Sequence, residues 1–264
     1  ERESLGGICL NWGCIPTKAL LKSAQVFEYL SHAEDYGITV KDSSADFNKI
    51  VDRSRGVATK MSNGISYLMK KNKIDVIMGT GKLASPTELE VTDDKGATSK
   101  VSGKNIIIAT GARSRELPNL PKDGKKIIGY REAMTLPQLP KKMVVVGSGA
   151  IGSEFAYFYQ TLGTEVTLIE YLPNIVPVED EDVSKQLGRS FKKSGMKVMV
   201  SSEVLSVDTK GAGCKVTVKT KKGEEVIDCD VVLSAVGIAT NLENIGLEDV
   251  GVATDKGKVM VNAH

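Results

Sequence analysis

The sequence predicts an α/β fold in which a parallel central sheet is covered by helices and joined by an antiparallel meander. Three observations carry that prediction. Residues 143–170, MVVVGSGAIGSEFAYFYQTLGTEVTLIE, read as strand, glycine turn, helix and second strand. A polar start, an apolar run and a closing Ala-x-Gly occur twice, in NIIIATGA (105–112) and CDVVLSAVGI (229–238), with Ala109 and Ala235 in the same place. Residues 203–227, EVLSVDTKGAGCKVTVKTKKGEEVI, read as short strands with glycine turns.

The elements follow in order. Residues 17–31 predict a helix: Pro16 suits its first turn, and Ala19, Leu20, Val26, Phe27 and Leu30 recur at helical spacing. Residues 47–71 predict a longer one, with Phe47, Ile50, Val51, Val57, Ala58, Met61, Ile65, Leu68 and Met69 forming one apolar stripe. IDVIMGTGKL (74–83) predicts a strand entering a glycine turn, and 88–103 a hairpin turning at Lys95-Gly96. Residues 105–112 predict a buried strand, and 229–238 a second of the same character. This is weak internal repetition, since buried strands resemble one another. Residues 116–142, with Pro118, Pro121, Pro137 and Pro140, read as a linker.

The 264 residues fit one large or two ordinary domains. With 35 basic and 33 acidic residues the net charge is +2, which gives no argument for nucleic acid or a membrane surface as partner. The clusters Lys70-Lys71-Asn72-Lys73 and Lys125-Lys126 read as solvated faces. No apolar run approaches the roughly 20 residues of a membrane span. Four cysteines do not make a secreted disulfide scaffold, so a reducing compartment is expected, cytoplasmic or organellar. The N-terminus, ERESLGG, has no signal-peptide pattern and no Met, and reads as the inside of a longer protein.

Chemistry concentrates in two places. The first is Gly147-Ser148-Gly149-Ala150-Ile151-Gly152-Ser153-Glu154, between the strand ending at Val146 and a helix, with Glu170 closing the next strand 18 residues beyond Gly152. Gly147 permits a tight turn, Gly149 lets backbone approach a pyrophosphate, and Gly152 permits close helix–strand packing. The helix start offers unpaired N–H groups to phosphate. A carboxylate at Glu170 accepts from ribose hydroxyls and repels a 2′-phosphate, so the unit predicts a Rossmann-type site for NAD rather than NADP.

The second place is GGICLNWGCIPTKALL (6–21). Cys9 and Cys14 are separated by four residues. A zinc site lacks a second ligand pair, as the only histidines, His32 and His264, read as incidental. A disulfide staple remains open, though it would close a tiny loop. A redox pair has more behind it: Cys14 lies at a helix start, which favours a thiolate, and Lys18 one turn on faces the same side. Gly6, Gly7 and Gly13 leave room for a flat ligand. Cys214 and Cys229 read as core or strand-edge residues.

GGICLNWGCIPTKALL closely resembles the active-site segment of the flavin-dependent pyridine nucleotide–disulfide oxidoreductases, and the spellings CLN and CIPTK look like the lipoamide branch. IIIATGAR, Gly152-Ser153-Glu154, SAVGIATN and NIGLEDVGVATDKGKVMVNAH extend the resemblance over nearly the whole chain. It implies two Rossmann-like domains, the FAD-binding one incomplete. Residues 1–126 would be the FAD domain lacking its first βαβ unit, 127–250 the NAD domain, and 251–264 a return segment; a C-terminal interface domain would be absent. Cys9 would be the interchange thiol and Cys14 the thiol against the flavin. Lys18 would sit by the flavin, paired with Glu154. Gly6, Gly7, Gly81, Thr110, Gly111 and Ala112 would line FAD; Gly147 to Glu154, Glu170, Val204 and Gly237 would line NAD. The implied reaction is oxidation of a dihydrolipoyl group on the lipoyl domain of a 2-oxoacid dehydrogenase or glycine cleavage complex, with reduction of NAD⁺. The alternatives are an NADPH-dependent reductase of another disulfide and a non-catalytic NAD-binding redox sensor. The parent protein would be a homodimer in the cytoplasm or the mitochondrial matrix, and the 264 residues alone would be inactive. Two departures from the family pattern are Thr240, in place of a frequent proline, and Trp12, in place of a usual Val.

Overall fold

A computed structural model describes residues 1–262. His264 lies outside the described residues. The chain divides into two compact units: residues 1–11, 59–113 and from 238 onward form the first, and 12–58 with 114–237 the second. This cut differs from the 1–126 and 127–250 division, because residues 12–58 group with the nucleotide-loop unit.

Helix α1 (Gly7–Asn11) is short, and the Asn11 side-chain amide donates to the carbonyls of Leu5 and Gly7. Helix α2 (Cys14–Ser31) begins three residues earlier than its apolar spacing suggests. Pro16 therefore sits in its first turn, where a missing N–H leaves no bond unmade. Helix α3 (Phe47–Lys71) has the bounds its period indicates. Its stripe is buried only at Val51 and Ala58; Met61 and Leu68 are exposed. Strands β1 (Thr80–Ser85), β2 (Glu88–Thr92) and β3 (Thr98–Ser102) form an antiparallel meander in the first unit. The β2–β3 turn is held by Asp93 Oδ1, which accepts from the N–H groups of Lys95 and Ala97.

Two expectations fail in the first unit. Residues 74–78 are not a strand; regular structure begins at β1. Residues 105–111 are neither strand nor buried, and Ile107 is 90% exposed. The apolar run is real, but a strand exists only when a neighbour supplies its hydrogen bonds. Among the described residues no strand pairs with either segment. The repeat with 229–238 therefore does not extend to structure. Regular pairing resumes with β4 (Ala112–Ser114).

The second unit builds the parallel sheet. Its elements are β5 (Ile127–Ile128), α4 (Tyr130–Ala133), β6 (Lys142–Val146), α5 (Ala150–Thr161), β7 (Glu165–Ile169), α6 (Glu181–Lys193), β8 (Lys197–Met199), β9 (Glu203–Asp208), β10 (Cys214–Thr220), β11 (Gly223–Cys229) and β12 (Val231–Ser234). The sheet order is β5-β12-β6-β7-β8, all parallel. Order reverses at β6, whose neighbours β7 and β12 lie on opposite sides, so the carboxyl ends of β6 and β12 bound the crevice where such sheets bind ligands. The meander β9–β11 is antiparallel. Val204, Val216 and Val218 from it join Val144, Val146, Ile169 and Val232 in one core.

The expected linker at 116–142 is packed structure. Leu120 is 1% exposed, and Ile127, Ile128, Tyr130, Ala133 and Met134 are buried. Prolines and lysines dominate its composition, but the apolar residues between them are enough to add an edge strand and a helical turn. Chain return to the first unit is through β13 (Ile238–Thr240), which pairs with β4.

Candidate active site

The glycine loop closes the carboxyl end of β6. Gly147 has φ 94°, and its N–H donates to Ile169 O at 2.8 Å. A Cβ there would run into the Ala235 carbonyl, 2.8 Å from its carbon. A Cβ on Gly152 would run into the Gly147 carbonyl and lie 3.3 Å from Ala235 Cβ. Both glycines are therefore needed for packing between α5, β6 and the end of β12. Gly149 differs: nothing lies within 4 Å of its would-be Cβ. It caps the start of α5, facing open space with the helix N–H groups beside it. This is the cradle that a pyrophosphate needs.

Glu170 is 7% exposed. Its Oε2 accepts from Ser148 N at 2.8 Å and Ser148 Oγ at 2.7 Å, and its Oε1 accepts from Leu172 N at 2.9 Å. The carboxylate thus reaches from the end of β7 to the glycine loop and holds it. Ser153 Oγ donates to Ser148 O, tying the loop to the first turn of α5. Val204 is buried in the adjoining core, and Gly237, with φ 109°, follows β12.

Helix α2 packs against α5. Leu20 and Ala24 are fully buried on one side, and Phe155, Ala156 and Phe158 on the other. Two polar links cross this contact. Lys18 Nζ forms an ion pair with Glu154 Oε1. Tyr157 OH donates to Glu28 Oε2 at 2.6 Å, and burial together with this carboxylate pushes the phenol up to about 12. Beside the ion pair an open recess of about 360 Å³ is lined by Lys18, Leu21, Lys22, Gln25 and Tyr157. The first half of α3 supports α2: Ser54 Oγ donates to Pro16 O at 2.9 Å, and Arg53 to Ala19 O at 2.8 Å.

Cys14 opens α2 in the second unit, and Cys9 lies in α1 of the first; both are exposed. Trp12, between them in sequence, packs against two cations. The Arg55 guanidinium carbon lies 4.1 Å from the ring centroid and that of Arg131 5.1 Å. Neither arginine was singled out by sequence, because nothing in their spacing shows that α3 and α4 bring them to one ring. Tyr157 and Glu28 were missed for the same reason, 129 residues apart.

The remaining named residues lie in the first unit. Gly6 and Gly7 precede and open α1, and Gly81 lies in β1. Asn241 N and Nδ2 donate to the carbonyls of Gly111 and Thr110, just before Ala112. Arg113 donates to Thr240 O and to both carboxylate oxygens of Glu243, whose pKa is drawn down to about 2 by that hydrogen bonding. Thr240 itself donates through Oγ1 to Gly257 O, a bond the usual proline could not make.

Residues 3–264 match the family model for pyridine nucleotide-disulphide oxidoreductases. The chain belongs to that family. A dihydrolipoyl dehydrogenase of Zymomonas mobilis is 43% identical over 271 residues, covering 99% of this chain and 56% of its own length. One from Rhizobium etli is 44% identical, covering 100% of this chain and 58% of its own. The crystal structure of LpdA from Mycobacterium tuberculosis superposes with a TM-score of 0.88 at 28% identity, over 97% of this chain and 56% of that one. The chain thus spans a little over half the length of the curated relatives it matches. The family uses FAD and NAD(P). Among the described residues no helix is long and apolar enough to cross a membrane, and no group of three metal-ligating side chains converges.

Proposed function

We propose that this chain carries the redox centre and nucleotide site of a flavoprotein that oxidises protein-bound dihydrolipoamide to lipoamide and reduces NAD⁺. The observation that carries the reading is the Lys18–Glu154 ion pair. It joins the helix that Cys14 opens to the helix that the glycine loop opens, so Cys14 and the glycine loop share one packed unit. The names of the relatives supply the substrate class.

Two features of the glycine loop support the NAD reading. Gly149 leaves space beside α5 N–H groups for a pyrophosphate. Ribose hydroxyls would compete with the Ser148 hydroxyl for Glu170, which disfavours a 2′-phosphate there. Flavin, when bound, supplies two-electron transfer between dithiol and nicotinamide. The chain's own residues do the rest. Cys9 exchanges with the incoming dithiol, Cys14 completes the disulfide, and α2 holds Cys14 at its amino end. Lys18 keeps a positive charge one turn from Cys14, and Glu154 fixes that charge in place. Gly6, Gly7, Gly81, Thr110, Gly111 and Ala112 would serve the flavin, with residues 1–126 as the partial flavin domain, 127–250 as the NAD domain and 251–264 as a return segment toward the flavin domain. We further infer a lipoyl-domain partner, a homodimeric parent, and residence in the cytoplasm or mitochondrial matrix.

The test uses the full-length protein. Lipoamide-linked turnover should require NAD(H), fail with NADP(H), and be lost in both Cys9→Ser and Cys14→Ser. Turnover that survives either serine, or that prefers NADPH, would overturn the reading.

A further inference from the structure

A second cysteine pair lies in the meander, outside the chemistry described so far. The register of β10 on β11 sets Cys214 directly opposite Cys229. Opposed residues of antiparallel strands have Cα atoms roughly 4.5–5.5 Å apart, inside the roughly 4.4–6.8 Å that a disulfide spans. The Cys214 thiol donates to the carbonyls of Lys126 and Asp230, each at 3.8 Å, and Asp230 directly follows Cys229. Gly213 makes the approach possible, because a Cβ there would run into the Cys229 carbonyl, 3.4 Å from its carbon.

The two thiols are not equivalent. The Lys126 ammonium is fixed by the carbonyls of Thr209, Gly211 and Gly213, and its charge favours an ionised Cys214. Burial opposes ionisation of both, with Cys214 2% and Cys229 6% exposed, and pushes Cys229 up to about 12. The pair therefore rests as two thiols, with Cys214 the more ready to attack. Cys229 ends β11, an edge strand of the meander.

We propose that Cys214 and Cys229 are a second dithiol–disulfide pair, which a hydroperoxide closes into a cross-strand bond between β10 and β11. The Cys214 thiolate attacks the peroxide: an S–O bond forms, the O–O bond breaks, and the departing alkoxide takes a proton to leave as the alcohol, or as water from hydrogen peroxide. The Cys229 thiol then attacks the sulfenic sulfur. The S–S bond forms, the S–O bond breaks, and the hydroxide leaves with the thiol proton as water. Two thiols are oxidised by two electrons and one hydroperoxide is reduced. A small dithiol reverses the closure by exchange. The turn at Lys221-Lys222 already closes one end of this hairpin, so the new bond closes the other. The inference does not rest on the roles of Cys9 and Cys14.

The test exposes reduced full-length protein to hydrogen peroxide, blocks remaining thiols under native conditions, and maps the proteolytic peptides by mass spectrometry. A peptide carrying Cys214 linked to one carrying Cys229, two hydrogens lighter than their sum and split again by dithiothreitol, is the expected product. Cys229→Ala should leave Cys214 trapped as a sulfenic acid that dimedone labels, while Cys214→Ala should leave Cys229 an unmodified thiol. Hydrogen exchange across β10 and β11 should slow in the linked form. Absence of the linked peptide, its appearance only after denaturation, or linkage of either cysteine to any other would overturn the proposal.

Discussion

Two glycines of one loop should respond oppositely to the same substitution. In Gly152→Ala the new methyl would overlap the Gly147 carbonyl oxygen, lie 3.0 Å from its carbon and 3.3 Å from Ala235 Cβ. The obstacle is backbone, so relief requires α5 to move away from β6. Overpacking of this kind costs about 1–3 kcal/mol or more. In Gly149→Ala the methyl meets nothing within 4 Å, and the native φ of −61° suits alanine. Loss of unfolded-state freedom favours the folded protein by about 0.4–1 kcal/mol, and glycine's advantage over alanine as an N-cap offsets a similar amount. Stability should stay nearly level. The methyl does, however, occupy the space proposed for the pyrophosphate, so NADH affinity should fall by about tenfold or more, about 1.4 kcal/mol. Urea denaturation and NADH titration of full-length variants read the two effects separately. The reasoning is refuted if Gly149→Ala unfolds as readily as Gly152→Ala, or if it binds NADH as the parent does.

Other consequences can be checked in the same protein. Tyr159 is fully buried and donates to Ala133 O, so Tyr159→Phe should cost about 1–3 kcal/mol in denaturant melts by orphaning that carbonyl. Glu154→Gln should barely move the melting temperature, since the pair with Lys18 is partly solvated, yet it should slow the NADH-dependent step in rapid-mixing experiments. Cys229 is raised from 9.0 and Tyr157 from 10.0, each to about 12. The unfolded chain releases these protons first, so stability is full below pH 9 and should decline as pH climbs from 9 to 12, with Cys229→Ala flattening the early part of the fall. Trp12 is the only tryptophan, so Arg55→Ala should shift the emission of the whole chain unless the guanidinium makes no contact with the ring.

The βαβ unit at 143–170 was legible because it is self-sufficient. Its two strands pair with each other, its helix covers them, and each glycine answers a local steric demand. Residues 105–112 carry nearly the same pattern as 229–238 and fold differently, because pattern specifies a willingness to pair and not a partner. Residues 116–142 misled in the other direction: composition hid a handful of buried apolar side chains. In the site, the cysteines and the glycine loop were visible as local strings. Lys18 and Glu154, 136 residues apart, were connected by family resemblance alone. The turn of Glu170 onto Ser148 is not legible, since the sequence pattern alone points that carboxylate toward a ribose. Thr240 shows how a departure from a family pattern is accommodated, by a hydroxyl bond that proline lacks.

The stretches 74–78 and 105–111 also bear on how the chain behaves in solution. Ile74, Val76, Ile77, Met78 and Ile107 are all exposed, in segments with no strand partner among the described residues. A second molecule offering the same stretch would satisfy backbone and side chains together, which is the route to edge-to-edge growth. A net charge of +2 supplies little repulsion against it. These two short segments should favour self-association of the 264 residues in isolation, and a charged residue at Ile107 should reduce it.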